Sequence, residues 1–404
     1  MPSVTLLRSV SLIDGRKVDV QITGNTISAI ENSPSPLTAN DTYDLDGFIL
    51  SVGFVEPHAH LDKAFLADRI NNPEGDLLGA IRGLHDARAS ITVADTTERA
   101  VRAAKLMSQN GVTTIRTHAD TTIDNGLLSI EALQQAKSLC SSFIDIQVAM
   151  LLEWPLSGRG SADRHALARD AIAYGVDVIG GCPHLDDNPK KAVEYLLTLA
   201  VESDLPLDLH ADENLRVDSH DLEYLADIML AENIHHHVNA SHCVSLSTRN
   251  TADIQRIAEK VASAGITITA LPQTNLFLQG RQQTQLMPRA ITPIHELMAF
   301  GVIVAAGADN LQDPFNLMGR ADPLEIASLL VTAAHLSVGE AFSCITQNAW
   351  SAVYGTTTEI STGQQANLVA VRATTLRESI AMGPPDRFVV YGGVVINEQI
   401  RNRK

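Results

Sequence analysis

Between positions 54 and 307 the sequence alternates strand-like apolar runs with segments of helical periodicity, and few folds accommodate that pattern. A helical segment precedes every run after the first. Regular alternation predicts a parallel sheet, because each return to a parallel strand needs a crossover, usually a helix. The first run begins at Phe54, and the others cover 112–118, 144–152, 176–180, 207–210, 237–242, 266–270 and 302–307. Eight such units predict an α/β fold, the (β/α)8 or TIM barrel.

The two ends of the chain lack this alternation. Each carries β-rich runs punctuated by glycine, with hairpin signals at Asp14-Gly15 and Gly24-Asn25. We therefore expect a small β-sandwich domain built from both termini, 1–51 and 352–404, around a catalytic barrel at 52–351. A separate tail domain is the alternative. The terminal runs are 4–12, 18–22, 26–30, 48–50, 366–371 and 387–396.

Composition excludes several classes of partner. A formal net charge of −17 disfavours nucleic acid, which requires a basic surface. No apolar run reaches the ~18 residues that a membrane span needs, and the first residues read as a strand rather than a leader. We expect a cytoplasmic homo-oligomer that acts on a small molecule. The four cysteines have no paired spacing, which fits a reducing compartment: Cys140, Cys182, Cys243 and Cys344.

Histidines and carboxylates gather at the predicted strand ends. His58 and His60 end the first strand, and residues two apart on a strand point to the same side. Alone, such a pair is as well explained by chance or by histidines bonded to backbone. His210, His242 and Asp309, however, end strands five, six and eight. Catalytic groups of this fold sit at such ends, so a shared site is the better interpretation.

His58, His60, His210 and Asp309 would supply three imidazoles and one carboxylate to a metal ion. This donor set suits one divalent ion, Zn or Fe, with a position left for water. Such an ion lowers the pKa of water towards ~7. The sequence does not choose between the two metals.

Two further residues are candidates for proton transfer. His242 could be another ligand, a partner of the hydrolytic water, or a buried structural histidine. Glu213, three residues after His210, could carry a proton to a leaving nitrogen, or could be a surface ion-pair residue. His118 and His184, at the ends of strands two and four, are candidates for supporting or substrate contacts.

Several stretches of the chain resemble the amidohydrolase superfamily, in particular its branch with bacterial cytosine deaminase and N-isopropylammelide isopropylaminohydrolase. The resemblance covers nearly the whole chain. Its motifs are GFVEPHAHLDKAF, RTHAD, IDIQVAML, LDLHADE, ASH, NLFLQGR at 275–281 and GADNLQDPF at 307–315.

The resemblance implies roles for the residues in these motifs. His58, His60, His210 and Asp309 match mononuclear metal ligands, and Glu213 matches the acid/base glutamate of cytosine deaminase. His242 matches the histidine beside the hydrolytic water. Phe315 stands where that enzyme has a tryptophan in its pyrimidine pocket.

Two departures from cytosine deaminase bear on the substrate. Glu153 replaces a glutamine that reads a ring carbonyl and N–H together, and a carboxylate only accepts hydrogen bonds. Asn310 replaces a second aspartate, whereas the isopropylaminohydrolase resembles this chain there and also has the lysine at Lys63. Lys63 could polarise a substrate group or pair with Asp62. Glu153 could read a ring or bond a loop backbone.

We therefore predict a hydrolytic deaminase of a small nitrogen heterocycle with an amidine- or guanidine-like face rather than of plain cytosine. An N-alkylamino-triazine hydrolase and a ring-opening cyclic amidase are the enzymatic alternatives. The last is disfavoured because the fourth strand ends without a metal-bridging lysine. A barrel that binds without turnover would leave Glu213 without a purpose.

Overall fold

The computed structural model describes residues 2–396, which form two sheets and the helices around one of them. The strands are β1 (Val4–Leu12), β2 (Lys17–Thr23), β3 (Thr26–Asn32), β4 (Asp41–Asp44), β5 (Phe48–Val52), β6 (Phe54–Ala59), β7 (Val112–Thr121), β8 (Asp145–Leu152), β9 (Ile179–Gly181), β10 (Leu207–Ala211), β11 (Val238–His242), β12 (Thr267–Ala270), β13 (Val304–Ala306), β14 (Leu368–Arg372), β15 (Arg387–Tyr391) and β16 (Val394–Val395). The helices are α1 (Leu77–Ala87), α2 (Val93–Gln109), α3 (Leu128–Cys140), α4 (Ser161–Tyr174), α5 (Pro189–Ser203), α6 (Asp221–Ala231), α7 (Thr251–Ala264), α8 (Pro272–Leu278), α9 (Ile294–Ala299), α10 (Pro323–Ala333), α11 (Val338–Cys344), α12 (Gln347–Tyr354) and α13 (Leu376–Met382).

The predicted barrel is confirmed. Strands β6 to β13 run parallel, and each is hydrogen-bonded to the next in chain order. Every residue of β7, β10, β11 and β12 is buried, because helices cover the outside of the barrel while side chains fill its interior. All eight strands lie where the alternation predicts them. Strand β7 extends beyond the prediction, so His118 lies within it rather than at its end.

The barrel closes where its first strand meets its last. Ala59 of β6 pairs in parallel with Asp309, just past β13. The N–H of His60 donates to the carbonyl of Asp309 at 3.3 Å, and the N–H of Asp309 donates to the carbonyl of His58 at 3.0 Å. We call this contact the seam. The two strands thus join through the backbone of three predicted metal ligands.

A buried carboxylate supports the seam from within. Glu56 accepts the N–H of Ala308 at 3.0 Å and the N–H of His58 at 3.2 Å. Burial raises the pKa of Glu56 to about 8, although these bonds oppose the shift. A Cβ at position 307 would collide with Oε1 of Glu56, so a larger residue there would displace the carboxylate that supports the seam.

Strands from both termini form the second sheet, in the order β16-β15-β14-β5-β1-β2-β3, with β4 beside β1. The small sandwich domain built from both termini is thereby confirmed. Its core unites residues far apart in sequence, because β14 pairs antiparallel with β5. The short strand β4 lies outside the predicted runs. The core includes Leu7, Val10, Val20, Phe48, Leu368 and Phe388.

A buried ion pair joins the terminal sheet to the barrel domain. The guanidinium of Arg387, on β15, donates to both carboxylate oxygens of Asp322 at 2.8 and 2.7 Å. Asp322 also caps α10 by accepting the N–H of Leu324. The same guanidinium donates to the carbonyl of Asn110 at 2.5 Å. The terminal sheet is thereby fixed to the helical shell of the barrel.

Several helices lie outside the sequence prediction: α1, α8 and the run from α10 to α13. The domain boundaries at 51/52 and 351/352 stay a prediction. Helix α12 spans the second boundary, and its Ala349, Ala352 and Val353 pack with Val55 and Ala305 of the barrel. Residues 397–404 of the predicted terminal domain lie outside the described part.

Across residues 2–396, no helix combines the length and the apolar character that crossing a bilayer requires. The four cysteines are free thiols.

Candidate active site

Four of the predicted ligands converge at the C-terminal end of the barrel. Nε2 of His210 lies 3.1 Å from Nε2 of His58 and 3.2 Å from Nε2 of His60. Oδ1 of Asp309 lies 3.3 Å from Nε2 of His60 and 3.8 Å from Nε2 of His58. All four residues are buried. The alternation on β6 and the seam place His58, His60 and Asp309 together.

The donor atoms fit a divalent ion. Nitrogens that share one ion at about 2.1 Å lie about 3.0–3.4 Å apart, and Nε2 of His210 lies at such a distance from Nε2 of both His58 and His60. Burial, reinforced by neighbouring imidazoles, lowers the pKa of His58 and His210 well below the ordinary value, so both rings are neutral and keep a lone pair. Neither carboxylate oxygen of Asp309 has a hydrogen-bond partner among the described residues. A buried carboxylate without a donor needs a positive charge nearby.

Glu213 stands beside this cluster with two histidines facing it. Its Oε2 lies 3.7 Å from Nε2 of His242 and 4.0 Å from Nε2 of His184. Burial, with a smaller contribution from the Asp309 carboxylate, raises the pKa of Glu213 well above its usual range. A carboxyl group whose protonated form is favoured in this way is suited to donate a proton.

The ring of His242 is held by Asn275, whose side-chain oxygen lies 3.2 Å from Nδ1. His242 therefore faces both Glu213 and the ligand cluster, and its nitrogen also forms a possible donor group with His58 and Asp309. Its predicted roles as a ligand or as a partner of water both stay predictions. His242 and Asp309 share a backbone feature: their φ angles are +70° and +65°. Strained backbone of this kind clusters at functional sites.

A cavity of about 340 Å³ lies above the cluster. Its deep end is formed by His60, His210, Glu213, His242 and Asp309. Its outer wall comes from α1 and from segments after β7 and β8. The other residues on its wall are Lys63, Leu77, Ile81, Arg82, Leu84, His85, Asp86, Arg88, Asp120, Thr122, Asp124, Leu151, Leu152, Glu153, Trp154, Cys182, Leu185, Asn310 and Phe315.

Lys63 lies on this wall but is paired with acids. Its ammonium donates to Asp120 at 2.7 Å and to Asp62 at 3.1 Å. Burial alone would lower the pKa of Lys63, but the two carboxylates outweigh it and raise that pKa. Burial likewise opposes ionisation of Asp120, yet Lys63 and Arg88 hold the pKa of Asp120 at about 2. The predicted pairing with Asp62 is present, and contact with a substrate stays a prediction.

Glu153 lies on the wall with one oxygen committed to the protein. Its Oε2 accepts the N–H of Ile123 at 2.9 Å and lies 3.3 Å from the guanidinium of Arg164. Within the described residues, Oε1 carries no hydrogen bond. The predicted bond to a loop backbone is present, and recognition of a substrate by Glu153 stays a prediction.

Asn310 and Phe315 also lie on the wall. The side chain of Asn310 donates to Asp313 at 2.8 Å, and Asp313 in turn accepts the N–H of Phe315 at 2.8 Å. Phe315 packs with Leu84 of α1 and with Leu278. These contacts fix an aromatic surface opposite the helix.

His118 and His184 lie behind the site rather than on the cavity wall. The ring of His118 packs on that of His58 with centroids 4.0 Å apart. Nδ1 of His184 lies 3.0 Å from the carbonyl of His210, and burial lowers the pKa of His184 to about 4. Substrate contact by either residue remains a prediction, and the geometry favours a supporting role for both.

The sequence prediction missed most of the outer wall, where Glu153 is the exception. Helix α1 was detectable, because Asp76 is an N-cap that accepts the N–H of Gly79, and Leu77, Ile81 and Leu84 recur at helical spacing. Asp120 was also detectable, since it lies two residues after His118 on the same strand. No local signal places Trp154 or Cys182 on this wall.

Comparison with known proteins gives consistent similarities. A family model described as "Amidohydrolase family" matches residues 66–401. A pterin deaminase from Rhizobium rhizogenes is 28% identical over 395 residues, covering 95% of this chain and 89% of its own length. The solved structure of 5-methylcytosine deaminase from Klebsiella pneumoniae with 5-fluorocytosine has a TM-score of 0.89 at 26% identity, covering 97% of both chains. N-isopropylammelide isopropylaminohydrolase from Burkholderia multivorans has a TM-score of 0.84 at 25% identity, covering 97% of this chain and 98% of its own.

Proposed function

This chain belongs to the amidohydrolase family and is a hydrolase of carbon–nitrogen bonds, and from that premise we propose that it deaminates a small nitrogen heterocycle with the help of one divalent metal ion. The observation that carries the proposal is the position of Glu213. A buried carboxylic acid with a raised pKa stands beside four converging ligand atoms at the deep end of a cavity. Hydrolytic deamination needs this combination, because ammonia leaves only after its nitrogen has been protonated.

Each residue has a task in the proposed reaction. His58, His60, His210 and Asp309 would hold the ion, Zn or Fe, which when bound lowers the pKa of water towards ~7. The water oxygen bonds to the ring carbon that carries the amino group, and Oδ2 of Asp309 accepts the water's proton. Glu213 donates its proton to the amino nitrogen, the carbon–nitrogen bond breaks, and ammonia leaves. His242, whose Nε2 lies 3.7 Å from Oε2 of Glu213, would orient the attacking water.

The cavity supports a substrate larger than one ring. Its volume of about 340 Å³ falls within the ~300–1,000 Å³ of ligand pockets and leaves room for two fused rings. Phe315 and the apolar side of α1 suit the faces of a flat heterocycle. Oε1 of Glu153 would accept a ring or exocyclic N–H, as the predicted amidine-like face requires. The Rhizobium relative is a pterin deaminase, which agrees with an aminated two-ring substrate.

A second candidate is hydrolysis of an N-alkylamino-triazine. The similarity to the isopropylaminohydrolase supports it. The Asp309-Asn310 pair also supports it, because this chain resembles that enzyme at these two positions. Ring opening is less well supported, because the fourth barrel strand ends in glycines and Cys182 rather than in a lysine.

The test is release of ammonia from a panel of aminated pyrimidines, triazines, purines and pterins by protein loaded with Zn²⁺ or Fe²⁺. We expect metal-dependent release that is highest for two-ring substrates. Alkylamine release would favour the triazine reaction. Consumption of a cyclic amide without release of either amine would identify a ring-opening enzyme and contradict the proposal.

A further inference from the structure

Beneath the ligand cluster, the barrel interior holds a chain of buried polar side chains rather than apolar ones. Nδ1 of His58 lies 2.8 Å from Oγ of Ser241, and that hydroxyl lies 2.9 Å from Oδ1 of Asp208. Oδ2 of Asp208 pairs with the guanidinium of Arg116 at 2.9 Å. All four side chains are fully buried. Three of them are motif residues to which the proposed reaction gives no role: Arg116 of RTHAD, Asp208 of LDLHADE and Ser241 of ASH.

The donors in this chain can be assigned in order. Arg116 has only donors, and it also donates to the carbonyl of Val353 at 2.6 Å. Oδ1 of Asp208 accepts from the side-chain nitrogen of Asn239 at 2.9 Å. Each neighbour that faces Asp208 can therefore donate to it. The carboxylate is the form that fits, although burial raises the pKa of Asp208 against the pull of Arg116.

The hydroxyl of Ser241 then has one consistent arrangement. It has a single hydrogen, which goes to the carboxylate of Asp208. It accepts from the side-chain nitrogen of Asn239 at 3.1 Å, and its remaining lone pair faces Nδ1 of His58. That nitrogen must therefore carry the proton of the neutral imidazole, so the lone pair of His58 lies on Nε2, the atom that faces His210.

We propose that Ser241 and Asp208 are positioning residues that fix His58 in the tautomer with its proton on Nδ1 and so prepare it to bind metal. Arg116 anchors the chain at its far end. The other two histidine ligands lack such a chain: Nδ1 of His210 has no partner among the described residues, and Nδ1 of His60 faces the Lys63 ammonium at 3.3 Å. His58 is thus the ligand whose orientation is fixed in advance. The inference rests on the proposed metal site and not on the identity of the substrate.

Replacing Asp208 by asparagine would reverse the direction of these hydrogen bonds. Arg116 requires an acceptor, so the amide oxygen would face the guanidinium and the amide nitrogen would face Ser241. The hydroxyl of Ser241 would then turn its hydrogen to Nδ1 of His58. The imidazole proton would move to Nε2, where it blocks metal binding. Ser241→Ala, in contrast, only removes the constraint and leaves both tautomers accessible.

The experiment measures Zn²⁺ affinity by titrating the zinc-loaded full-length protein with a competing chromogenic chelator, with no substrate present. Loss of an outer-shell partner typically weakens metal binding by about 10- to 100-fold. We expect a loss in that range for Ser241→Ala and a larger one for Asp208→Asn. Thr269→Val is the matched control, because it removes a buried hydroxyl that bonds Asn239 at 3.0 Å without touching any ligand. Its zinc affinity should equal that of the wild type.

Thermal unfolding of the metal-free variants separates folding from metal binding. Wild-type affinity in Ser241→Ala overturns the proposal, and so does an equal loss in Thr269→Val. If Asp208→Asn does not fold, Ser241→Ala against the control decides the outcome. A wild-type chain that binds no zinc or iron overturns the metal site itself, whereas a chain that binds zinc but releases no ammonia overturns only the proposed reaction.

Discussion

The two ends of the cavity are built differently. The deep end consists of residues on or just after barrel strands, and His58, His210, Glu213 and Asp309 are all buried there. The outer wall consists of α1 and segments between strands and helices, where the side chain of His85 is 69% exposed. Each barrel strand at the deep end is held by backbone hydrogen bonds to its neighbouring strands. We therefore expect the barrel to fix the chemistry and the outer segments, which can change without disturbing the barrel, to set the choice of substrate.

The largest expected effect comes from removing the metal, which tests the deep end as a whole. Exhaustive chelation should reduce ammonia release to background, because four buried donor groups lose the charge that they surround. Zn²⁺ or Fe²⁺ added back should restore release, and the loaded protein should unfold at a higher temperature than the metal-free one. Full activity after verified removal of all metal would contradict the proposed site.

The next effect is that of Glu213→Gln, which keeps the shape of the side chain but removes its proton-transfer role. We expect kcat to fall by about 10²- to 10⁴-fold. Zinc content should be unchanged, since Glu213 is not among the four ligands. Every substrate of the panel should be affected alike. If kcat fell for only one substrate, Glu213 would act in substrate recognition, as proposed for the outer wall, rather than in proton transfer.

A smaller and more selective effect is expected for Glu153→Gln, on the outer wall. The amide would both donate and accept, so substrates with an amidine-like face should lose about 1–2 kcal/mol in kcat/KM, roughly a tenfold change. Substrates with a ring carbonyl at that place should gain. The measurement is kcat/KM across the panel, and unchanged preference would remove Glu153 from substrate recognition.

The smallest effect is expected for Ile81→Ala on α1. Loss of apolar contact should raise KM by about 3- to 10-fold with little change in kcat, because a partly exposed apolar contact is expected to contribute about 1 kcal/mol, the low end of the range for a methylene in a pocket. Leu78→Ala is a matched control on the same helix, since Leu78 is 52% exposed and does not line the cavity. An equal change in both variants would indicate a general disturbance of the helix.

The sequence predicted the deep end well and the outer wall poorly, for a physical reason. His58 and His60 lie two apart on a strand, and residues at strand ends meet at one edge of a parallel barrel, so position along the chain predicts position in space. Trp154 and Cys182 follow strands in segments whose path depends on tertiary packing. The positive φ angles of His242 and Asp309 were equally invisible: histidine and aspartate adopt such angles more often than most residues, but the sequence does not show which of them do.

The role of the hydrogen-bonded polar side chains under His58 could not be predicted from the sequence either. Asp208 and Ser241 lie within recognised motifs, yet nothing in their spacing shows that the two meet. Their contact depends on the parallel register of β10 and β11, which pairs Asp208 with Asn239 and His210 with Ser241. That register follows from the whole barrel and not from either strand.

The seam has a consequence for how the protein matures. While the last strand is still undocked, the imidazoles of His58 and His60 would not face the Asp309 carboxylate, so closing the barrel and assembling the four donor groups would be a single event. A bound metal ion would then link the first and the last strand of the barrel. A chain that has not finished folding cannot hold the ion in its full set of donors, and one that has lost the ion should begin to open at this joint.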